Sequence, residues 1–210
     1  KTLQIMIMEN RKSAILLIYT GGTIGMKVDP KVQALKPFNF NQILEEVPEL
    51  GKFAYRIDSY TFDPLIDSSD VEPSLWVSLV KLIEERYDEY DGFVILHGTD
   101  TMAYTASALS FILQNLSKPV IVTGSQIPLC EIRSDGKDNI LASMMIAASG
   151  KVFEVCIFFA GKLLRGNRSI KMSADSLIAF DSPNYPKLAD AGIGIRYREN
   201  ILLKKSEKPF

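Results

Sequence analysis

Residues 92–101 read Gly92-Phe-Val-Ile-Leu-His-Gly-Thr-Asp-Thr101, a short apolar run that ends in glycine and hydroxyl-bearing residues. Similar runs span Ala14–Tyr19, Pro119–Thr123 and Glu154–Phe159. Short runs with little polar alternation are typical of strands that are covered on both faces of a parallel sheet. The segment Phe53–Tyr60 alternates instead, which predicts a fifth strand nearer an edge. The chain therefore reads as an α/β protein.

Longer segments with helical spacing lie between these strands. Pro73 suits the first position of a helix, and the segment from about Thr101 to Asn115 is apolar almost all round, which predicts a buried helix. A third helix is expected from about Asp135, with Ser134 as its N-cap, to a stop at Gly150. The buried face of the first helix is expected to hold Trp76, Leu79, Val80, Ile83 and Tyr87. Alternating strands and helices predict a three-layer α/β/α fold with a largely parallel sheet.

The 210 residues leave room for one full domain and part of a second. Residues 1–11 are interpreted as an N-terminal extension or a tag remnant, and residues 12–195 as the α/β domain. After Gly161 the pattern breaks into short pieces, with turns at Ser182-Pro-Asn184 and Tyr185-Pro186. The charged tail, residues 196–210, shows no closing strand or helix and is interpreted as the start of an interdomain linker.

Composition narrows the possible functions. The 24 Lys and Arg residues against 25 Asp and Glu residues leave none of the basic excess that nucleic-acid binding requires. No apolar run approaches the ~20 residues of a membrane-spanning helix. Cys130, Cys156 and the single histidine have no zinc-binding spacing, and two distant cysteines fit a reducing compartment. We therefore expect a cytoplasmic protein with no metal, no nucleic-acid partner and no membrane association.

Four strand ends carry polar loops, and in open α/β sheets ligands bind beyond the carboxyl ends of the strands. The first loop lacks the glycine patterns of dinucleotide and phosphate sites, so nucleotide binding is weakly supported. Four such loops in register predict one polar site. The loops are Thr20-Gly-Gly-Thr-Ile-Gly25, Gly98-Thr-Asp-Thr101, Gly124-Ser-Gln126, and Gly161 followed by Arg165-Gly-Asn-Arg168.

Each polar residue in these loops has two interpretations. Thr23, after two glycines, is either a reactive hydroxyl or the cap of a turn. Asp100, at the start of a helix, either holds a substrate ammonium group or caps the helix. The segment Asp67-Ser-Ser-Asp70 either binds a carboxylate or supplies Asp70 as the cap of the following helix. Thr99 could donate to an oxyanion, whereas His97 is interpreted as a packed structural residue.

A threonine nucleophile in this chain needs a base other than histidine. With no serine nucleophile elbow and one histidine, the usual Ser-His-Asp arrangement is excluded. A lysine desolvated among loops can have its pKa lowered and accept a threonine proton. The candidates are Lys162 and Lys171, which flank Arg165 and Arg168, and spacing alone does not choose between them.

The motifs, taken together, resemble those of the bacterial-type L-asparaginases, and most closely the cytoplasmic type I branch. The similarity runs from about Ala14 to Ile195 and rests on five segments in order and spacing. It implies the fold of an asparaginase N-terminal domain and hydrolysis of L-asparagine to L-aspartate and ammonia without metal or cofactor. The segments are Thr20–Gly25, Asp67–Asp70, His97–Tyr104, Lys118–Gln126, and Arg165–Arg168 with Lys171.

The resemblance also implies residue roles. Thr23 matches the primary nucleophile, which forms an acyl-enzyme, and Thr99, Asp100 and Lys171 match a second catalytic cluster. In that cluster a threonine activated by the lysine, or a water that it orients, assists the reaction.

The substrate contacts follow from the same resemblance. Ser68 matches the residue that grips the substrate α-carboxylate, with Asp67 and Ser69 around it. Asp100 matches the group that holds the α-amino end, beside Thr99.

Two departures from the family pattern stand out. Many members place a tyrosine in the loop after the first motif, where it supports the nucleophile. Here Lys27–Phe38 contains no tyrosine, and Ala34 falls near that position. Family chains also continue into a C-terminal domain that contributes an acidic residue to a neighbouring subunit, whereas this sequence stops near the linker.

Three functions therefore remain open. The leading one is the N-terminal catalytic domain of an L-asparaginase that forms a homo-oligomer, a dimer or a tetramer, when complete. The second is the asparaginase-like subunit of a tRNA-dependent amidotransferase. The third is a ligand-binding or assembly module without turnover. We expect little or no activity from the 210-residue chain alone, because catalysis by proximity fails when part of the constellation is absent.

Overall fold

The computed structural model describes the backbone of residues 13–29, 34–37 and 40–210, and the side chains of residues 13–26 and 43–210. The extension interpreted at residues 1–11 lies outside the described residues. The strands are β1 (Ala14–Tyr19), β2 (Met26–Asp29), β3 (Ala34–Pro37), β4 (Arg56–Thr61), β5 (Gly92–Leu96), β6 (Val120–Thr123), β7 (Val155–Phe159), β8 (Lys162–Arg165), β9 (Ile170–Lys171), β10 (Phe180–Asp181), β11 (Ala189–Ala191) and β12 (Ile195–Tyr197). The helices are α1 (Phe40–Glu46), α2 (Pro73–Arg86), α3 (Met102–Ile112) and α4 (Gly136–Ala148).

Eight strands form the main sheet in the order β12-β11-β8-β7-β6-β5-β1-β4. The five strands from β7 to β4 are parallel to their neighbours, and the other three are antiparallel. The predicted α/β fold with a largely parallel sheet is confirmed, and β4 is an edge strand as its alternation indicates. β2 pairs with β3, and β9 with β10, in two separate two-stranded sheets.

Two apolar layers cover the sheet, one on each face. Along β1, Leu16 and Ile18 pack with α2 and α3, whereas Ile15 and Leu17 pack with α1 and α4. Every β1 side chain is buried, which explains why the sequence shows an apolar run rather than alternation. Within the described residues, no helix is both long and apolar enough to cross a membrane.

The prediction that the helix near residues 101–115 is buried all round is wrong. Met102 and Leu109 of α3 are buried against the sheet, but Tyr104 and Phe111 are 69% and 66% exposed on the opposite side. Only one side of α3 faces the sheet, so composition alone overstates the burial of this helix.

The chain after Gly161 contains more regular structure than predicted. β8, β11 and β12 extend the sheet in antiparallel order, and β12 includes Arg196. Strands of three or four residues are too short to show a period-two pattern, which is why the sequence did not reveal them. The expectation of no closing strand is therefore wrong, and the linker at residues 196–210 stays a prediction.

Candidate active site

The loop after β1 places Thr23 in a single 3-10 turn, Thr23–Gly25. Gly21 and Gly22 precede it with φ values of +132° and +88°, which side chains rarely adopt. The backbone of Gly22 lies directly against Gly98, so a Cβ at Gly22 would overlap the Gly98 Cα. The two glycines therefore bring half-buried Thr23 to the loop that follows β5.

The loop before α2 joins the same place. A Cβ on Gly98 would lie 2.5 Å from the Ser68 Oγ, so this glycine also allows a close approach. The Thr101 hydroxyl donates a hydrogen bond of 2.6 Å to the Ser68 carbonyl. The loops that follow β1, β4 and β5 thus meet at the carboxyl edge of the parallel sheet, as the strand-end rule predicts.

Lys171 contacts two polar residues in the loop that follows β5, Thr99 and Asp100. Its Nζ lies 2.8 Å from the Thr99 Oγ1 and 2.8 Å from the Asp100 Oδ1. Thr99 is 7% exposed, whereas the Asp100 side chain is 61% exposed and faces solvent. The hydrogen bond from Lys171 lowers the pKa of the Asp100 carboxyl below its ordinary value, against a smaller opposing effect of burial. An amine, a hydroxyl and a carboxylate are therefore in direct contact.

Ser68 completes this contact set. Its Oγ donates to the Asp100 Oδ2 at 3.4 Å and accepts from the Asp100 backbone N–H at 3.3 Å. The Asp67 carboxylate accepts from the Ser69 N–H and from the Ser69 hydroxyl, each at 2.9 Å. Asp67 thereby orders the turn Ser68–Asp70 as its N-cap.

The structure contains neither of the two alternative helix caps, Asp70 for α2 and Asp100 for α3. Asp70 does not cap α2, since the residue at that N-cap is Glu72 and its side chain makes no capping hydrogen bond. Asp100 does not cap α3 either, because Thr101 occupies the N-cap position and the Asp100 carboxylate contacts Lys171. Of the two interpretations of Asp100, the structure removes the capping one, and the ligand-binding one stays a prediction.

The path of the chain explains how Lys171 reaches Thr99. β8 runs antiparallel to β7 and carries the chain to the amino edge, where Arg165 pairs with Cys156. Gly166 then packs against α3 near Ser110. From there a 3-10 turn at Gly166–Arg168 and the short strand β9 carry the chain along α3 toward its N-terminus, where Lys171 lies beside Asp100.

This path also separates the other basic residues from the site. Lys162 pairs with Asp181 at 3.2 Å, and Arg165 forms a buried pair with Glu154 at the opposite edge. The prediction that the fourth polar loop, with Arg165 and Arg168, joins the same site is wrong, because β8 reverses the chain direction. Of the two lysines left open by spacing, only Lys171 contacts Thr99.

His97 is a structural residue, as its position at the end of an apolar strand indicates. It is 1% exposed, its Nδ1 lies 2.7 Å from the Gly98 carbonyl, and its Nε2 lies 3.0 Å from the Thr105 Oγ1. Trp76 donates to the same hydroxyl at 3.0 Å. Burial lowers the pKa of His97, so the neutral ring donates from Nδ1 to Gly98.

Sequence reasoning missed the role of Gln126. Its side-chain amide donates to the carbonyls of Ala174 and Ser176 at 2.9 and 3.2 Å, which ties the loop after Lys171 to the end of β6. Asp135 holds Gln126 in turn by accepting from its backbone N–H. The only signal was the position of Gln126 in the loop after β6. The N-cap of α4 is Asp135 rather than the predicted Ser134, although the Ser134 hydroxyl accepts from the Gly136 N–H at 3.0 Å.

Metal ligation has little support in this part of the chain. Within residues 13–26 and 43–210, no three His, Cys, Asp or Glu side chains are close enough to share an ion. Cys130 and Cys156 are both unpaired, and burial raises the pKa of the Cys156 thiol.

Comparison with known proteins gives consistent matches. Residues 14–203 match the family model described as Asparaginase, N-terminal. L-asparaginase 1 of Escherichia coli strain K12 is 51% identical over 189 residues, which are 89% of this chain and 55% of that protein. The chain therefore spans about half the length of such relatives.

Solved structures agree with the sequence matches. L-asparaginase I from Vibrio cholerae superposes with a TM-score of 0.85 at 48% identity, covering 95% of this chain and 60% of that one. A probable cytoplasmic L-asparaginase from Campylobacter jejuni superposes with a TM-score of 0.79 at 27% identity, covering 93% and 60%.

Proposed function

The chain belongs to the asparaginase family, and on this premise we propose that it is the N-terminal domain of an enzyme that hydrolyses L-asparagine to L-aspartate and ammonia. The observation that carries the proposal is the contact set of Lys171, whose Nζ lies 2.8 Å from both Thr99 and Asp100. A hydroxyl, an amine and a carboxylate in contact can move a proton during amide cleavage.

In the proposed reaction Thr23 is the nucleophile. Its Oγ attacks the side-chain amide carbon of asparagine, the C–N bond breaks, and the nitrogen leaves as ammonia after it gains a proton. The aspartyl ester on Thr23 is then cleaved by water, which releases aspartate and restores the hydroxyl. Thr99 and Lys171 assist by accepting and returning the proton, and the reaction uses no metal or cofactor.

The substrate would be held by its α-carbon groups. The Asp100 carboxylate suits the α-ammonium group, because its lowered pKa keeps it ionised and most of its surface is exposed. Ser68 is the proposed contact for the α-carboxylate, and Asp67 and Ser69 set the shape of that turn. Both charged groups on the α-carbon of the substrate would thus be bound beside Thr99.

The rest of the proposal concerns the whole protein. Residues 12–195 form the proposed catalytic N-terminal domain, residues 196–210 begin a linker, and a C-terminal domain completes a homo-oligomer. A cytoplasmic location is supported by the similarity to the probable cytoplasmic L-asparaginase from Campylobacter jejuni. Because part of the constellation would come from outside these 210 residues, we propose that the chain alone has little activity.

Ammonia release from asparagine by the full-length protein tests this function. Thr23→Ala and Thr99→Val should each reduce the rate by about a thousandfold or more, since each removes a group that acts on the reacting atoms. Thr61→Val is the matched control, because Thr61 is exposed at the end of β4 and should leave the rate unchanged. Full activity in the Thr23 variant would overturn the mechanism.

Two measurements separate the alternatives. Calorimetric titration of the 210-residue chain with aspartate, paired with the ammonia assay, would favour a binding module if aspartate binds and the full-length protein shows no turnover. Ammonia release that depends on a partner subunit and charged tRNA would favour the amidotransferase subunit.

A further inference from the structure

Tyr19 is a buried residue directly below the turn that carries Thr23. It is the last residue of β1, its side chain is 2% exposed, and it packs in the same apolar layer as Ile24. Three residues, Thr20-Gly21-Gly22, connect it to the turn Thr23–Gly25. The phenol therefore lies beneath the loop that brings the proposed nucleophile into the site.

The phenol and the turn are in direct contact. At Gly25 the position of a Cβ is already occupied by the hydroxyl end of the Tyr19 ring, so any larger residue there would displace one or the other. Within the turn, the Gly25 N–H donates to the Gly22 carbonyl at 3.3 Å, and the Met26 N–H donates to the Thr23 carbonyl. The turn thus packs directly on the phenol, and this contact sets the position of Thr23.

The Tyr19 hydroxyl is fully buried and has no hydrogen-bond partner among the described residues. A buried donor without an acceptor destabilises a fold, so its retention calls for a reason other than stability. Burial also raises the pKa of Tyr19, so the phenol stays protonated and cannot act as a base near neutral pH. The role left to the hydroxyl is to fill the space beneath the turn.

We propose that Tyr19 is a positioning residue for Thr23: its phenol holds the Thr23–Gly25 turn in the position that attack on the substrate requires. This inference rests on the proposed function of Thr23. Here a phenol supports the turn from the strand below it.

Tyr55 provides a matched control within the same chain. Its hydroxyl is also buried without a partner among the described residues, burial also raises its pKa, and it packs against the same apolar layer. It precedes β4, whose first residue pairs with Ala14, so it lies at the amino edge of the sheet. The two phenols share their chemistry and differ in whether they lie under the turn of Thr23.

Tyr19→Phe and Tyr55→Phe in the full-length protein test the proposal. Tyr19→Phe should lower kcat for asparagine by about tenfold or more with KM little changed, because a small misplacement of a nucleophile is costly. The shape of the pH profile should stay the same, since Tyr19 is not an acid or base in the reaction. Tyr55→Phe should leave kcat, KM and the pH profile at their wild-type values.

Amide hydrogen exchange provides a readout that does not depend on activity. In Tyr19→Phe the amides of Gly25 and Met26 should exchange about tenfold faster than in the wild type, and in Tyr55→Phe they should not change. Wild-type kcat and wild-type exchange in Tyr19→Phe would overturn the inference while leaving the proposed function intact. If the wild-type protein releases no ammonia, the proposed function fails, and the exchange of these two amides alone decides whether Tyr19 supports the turn.

Discussion

Arg165 and Lys171 come from one short segment, and each contacts a carboxylate, but at opposite edges of the sheet. Arg165 donates to both oxygens of Glu154 and to the Ile201 carbonyl, with side chains only 14% and 4% exposed. Lys171 contacts Asp100, whose side chain is 61% exposed. The Arg165–Glu154 pair is buried and hydrogen-bonded within the protein, whereas the Lys171–Asp100 pair leaves part of the Asp100 carboxylate exposed to solvent.

The difference shows what each pair can do. Burial alone would lower the pKa of Arg165, but hydrogen bonding and the charge of Glu154 raise it, so this pair stays ionised and closed. Glu154 also accepts from the Leu203 N–H, which anchors the end of the chain to the amino edge. Asp100 has an open side that a ligand could use. An ion pair therefore fits a functional role here because it is incompletely buried, not because it is strong.

The largest expected effect comes from breaking the exposed pair. Lys171→Met in the full-length protein should reduce ammonia release by about 10²–10⁴-fold, because it removes the amine that contacts Thr99. The free energy of unfolding should change little, by about 1 kcal/mol, since the 61% exposed Asp100 carboxylate stays in water when the 17% exposed Lys171 side chain loses its charge.

The control for this variant is Lys162→Met, because residue spacing alone does not separate Lys162 from Lys171. Lys162 contacts Asp181 rather than Thr99 and should retain wild-type activity. Equal losses in the two lysine variants would show that the Lys171 contact is not specific.

The buried pair should give the opposite result. Arg165→Met should lower the free energy of unfolding by about 3–5 kcal/mol, because it leaves the Glu154 carboxylate buried and unpaired. Urea denaturation measures this, and exposed Arg168→Met is the control that should stay near wild type. Replacing both partners, as Arg165→Met with Glu154→Leu, should recover much of the loss. A single variant as stable as Arg168→Met would show that the pair is not structurally important.

The smallest expected effect concerns His97, a buried titratable residue that lies next to the candidate site and has a structural role. Its pKa is lowered by burial, so below about pH 6.5 the unfolded chain binds a proton that the folded chain does not. The free energy of unfolding should therefore fall with decreasing pH by up to about 1.4 kcal/mol per unit between pH 6.5 and 5.5.

His97→Asn keeps a donor near the Gly98 carbonyl and does not titrate. Because His97 is the only histidine in the sequence, denaturant unfolding of this variant should show a flatter pH dependence over the same range. An unchanged slope in the variant would assign the effect to other groups.

Much of the fold could be predicted because burial on both faces leaves a direct trace in the sequence. β1, β5, β6 and β7 are apolar runs in which every residue is buried. The short antiparallel strands after Gly161 leave no such trace, since neither their length nor their composition differs from that of loops. The exposed side of α3 could not be predicted either, because Tyr104 and Phe111 are apolar residues at solvent-facing positions.

The residues of the candidate site likewise divide into those that the sequence predicts and those whose contacts depend on the tertiary structure. Thr23 and Thr99 could be proposed from strand ends and glycines, because the carboxyl ends of parallel strands must share one edge of the sheet. Ser68 was proposed from its hydroxyl in the segment before the helix that begins at Pro73, and from the family resemblance. Residue spacing did not choose between Lys171 and Lys162, whereas the family resemblance implied Lys171. The contact of Lys171 with Thr99 follows from the reversal of the chain in β8 and its return along α3. The contact of Tyr19 with Gly25 likewise depends on where two segments cross.

The sequence by itself determined the α/β class, the parallel core and the loops where chemistry could occur, because periodicity and glycine placement are local properties of the chain. Only the tertiary structure decided which basic residue faces Thr99, which ion pair is buried and which phenol lies under the nucleophile turn. Those outcomes depend on distances between segments far apart in the chain, and such distances are set by packing of the whole domain.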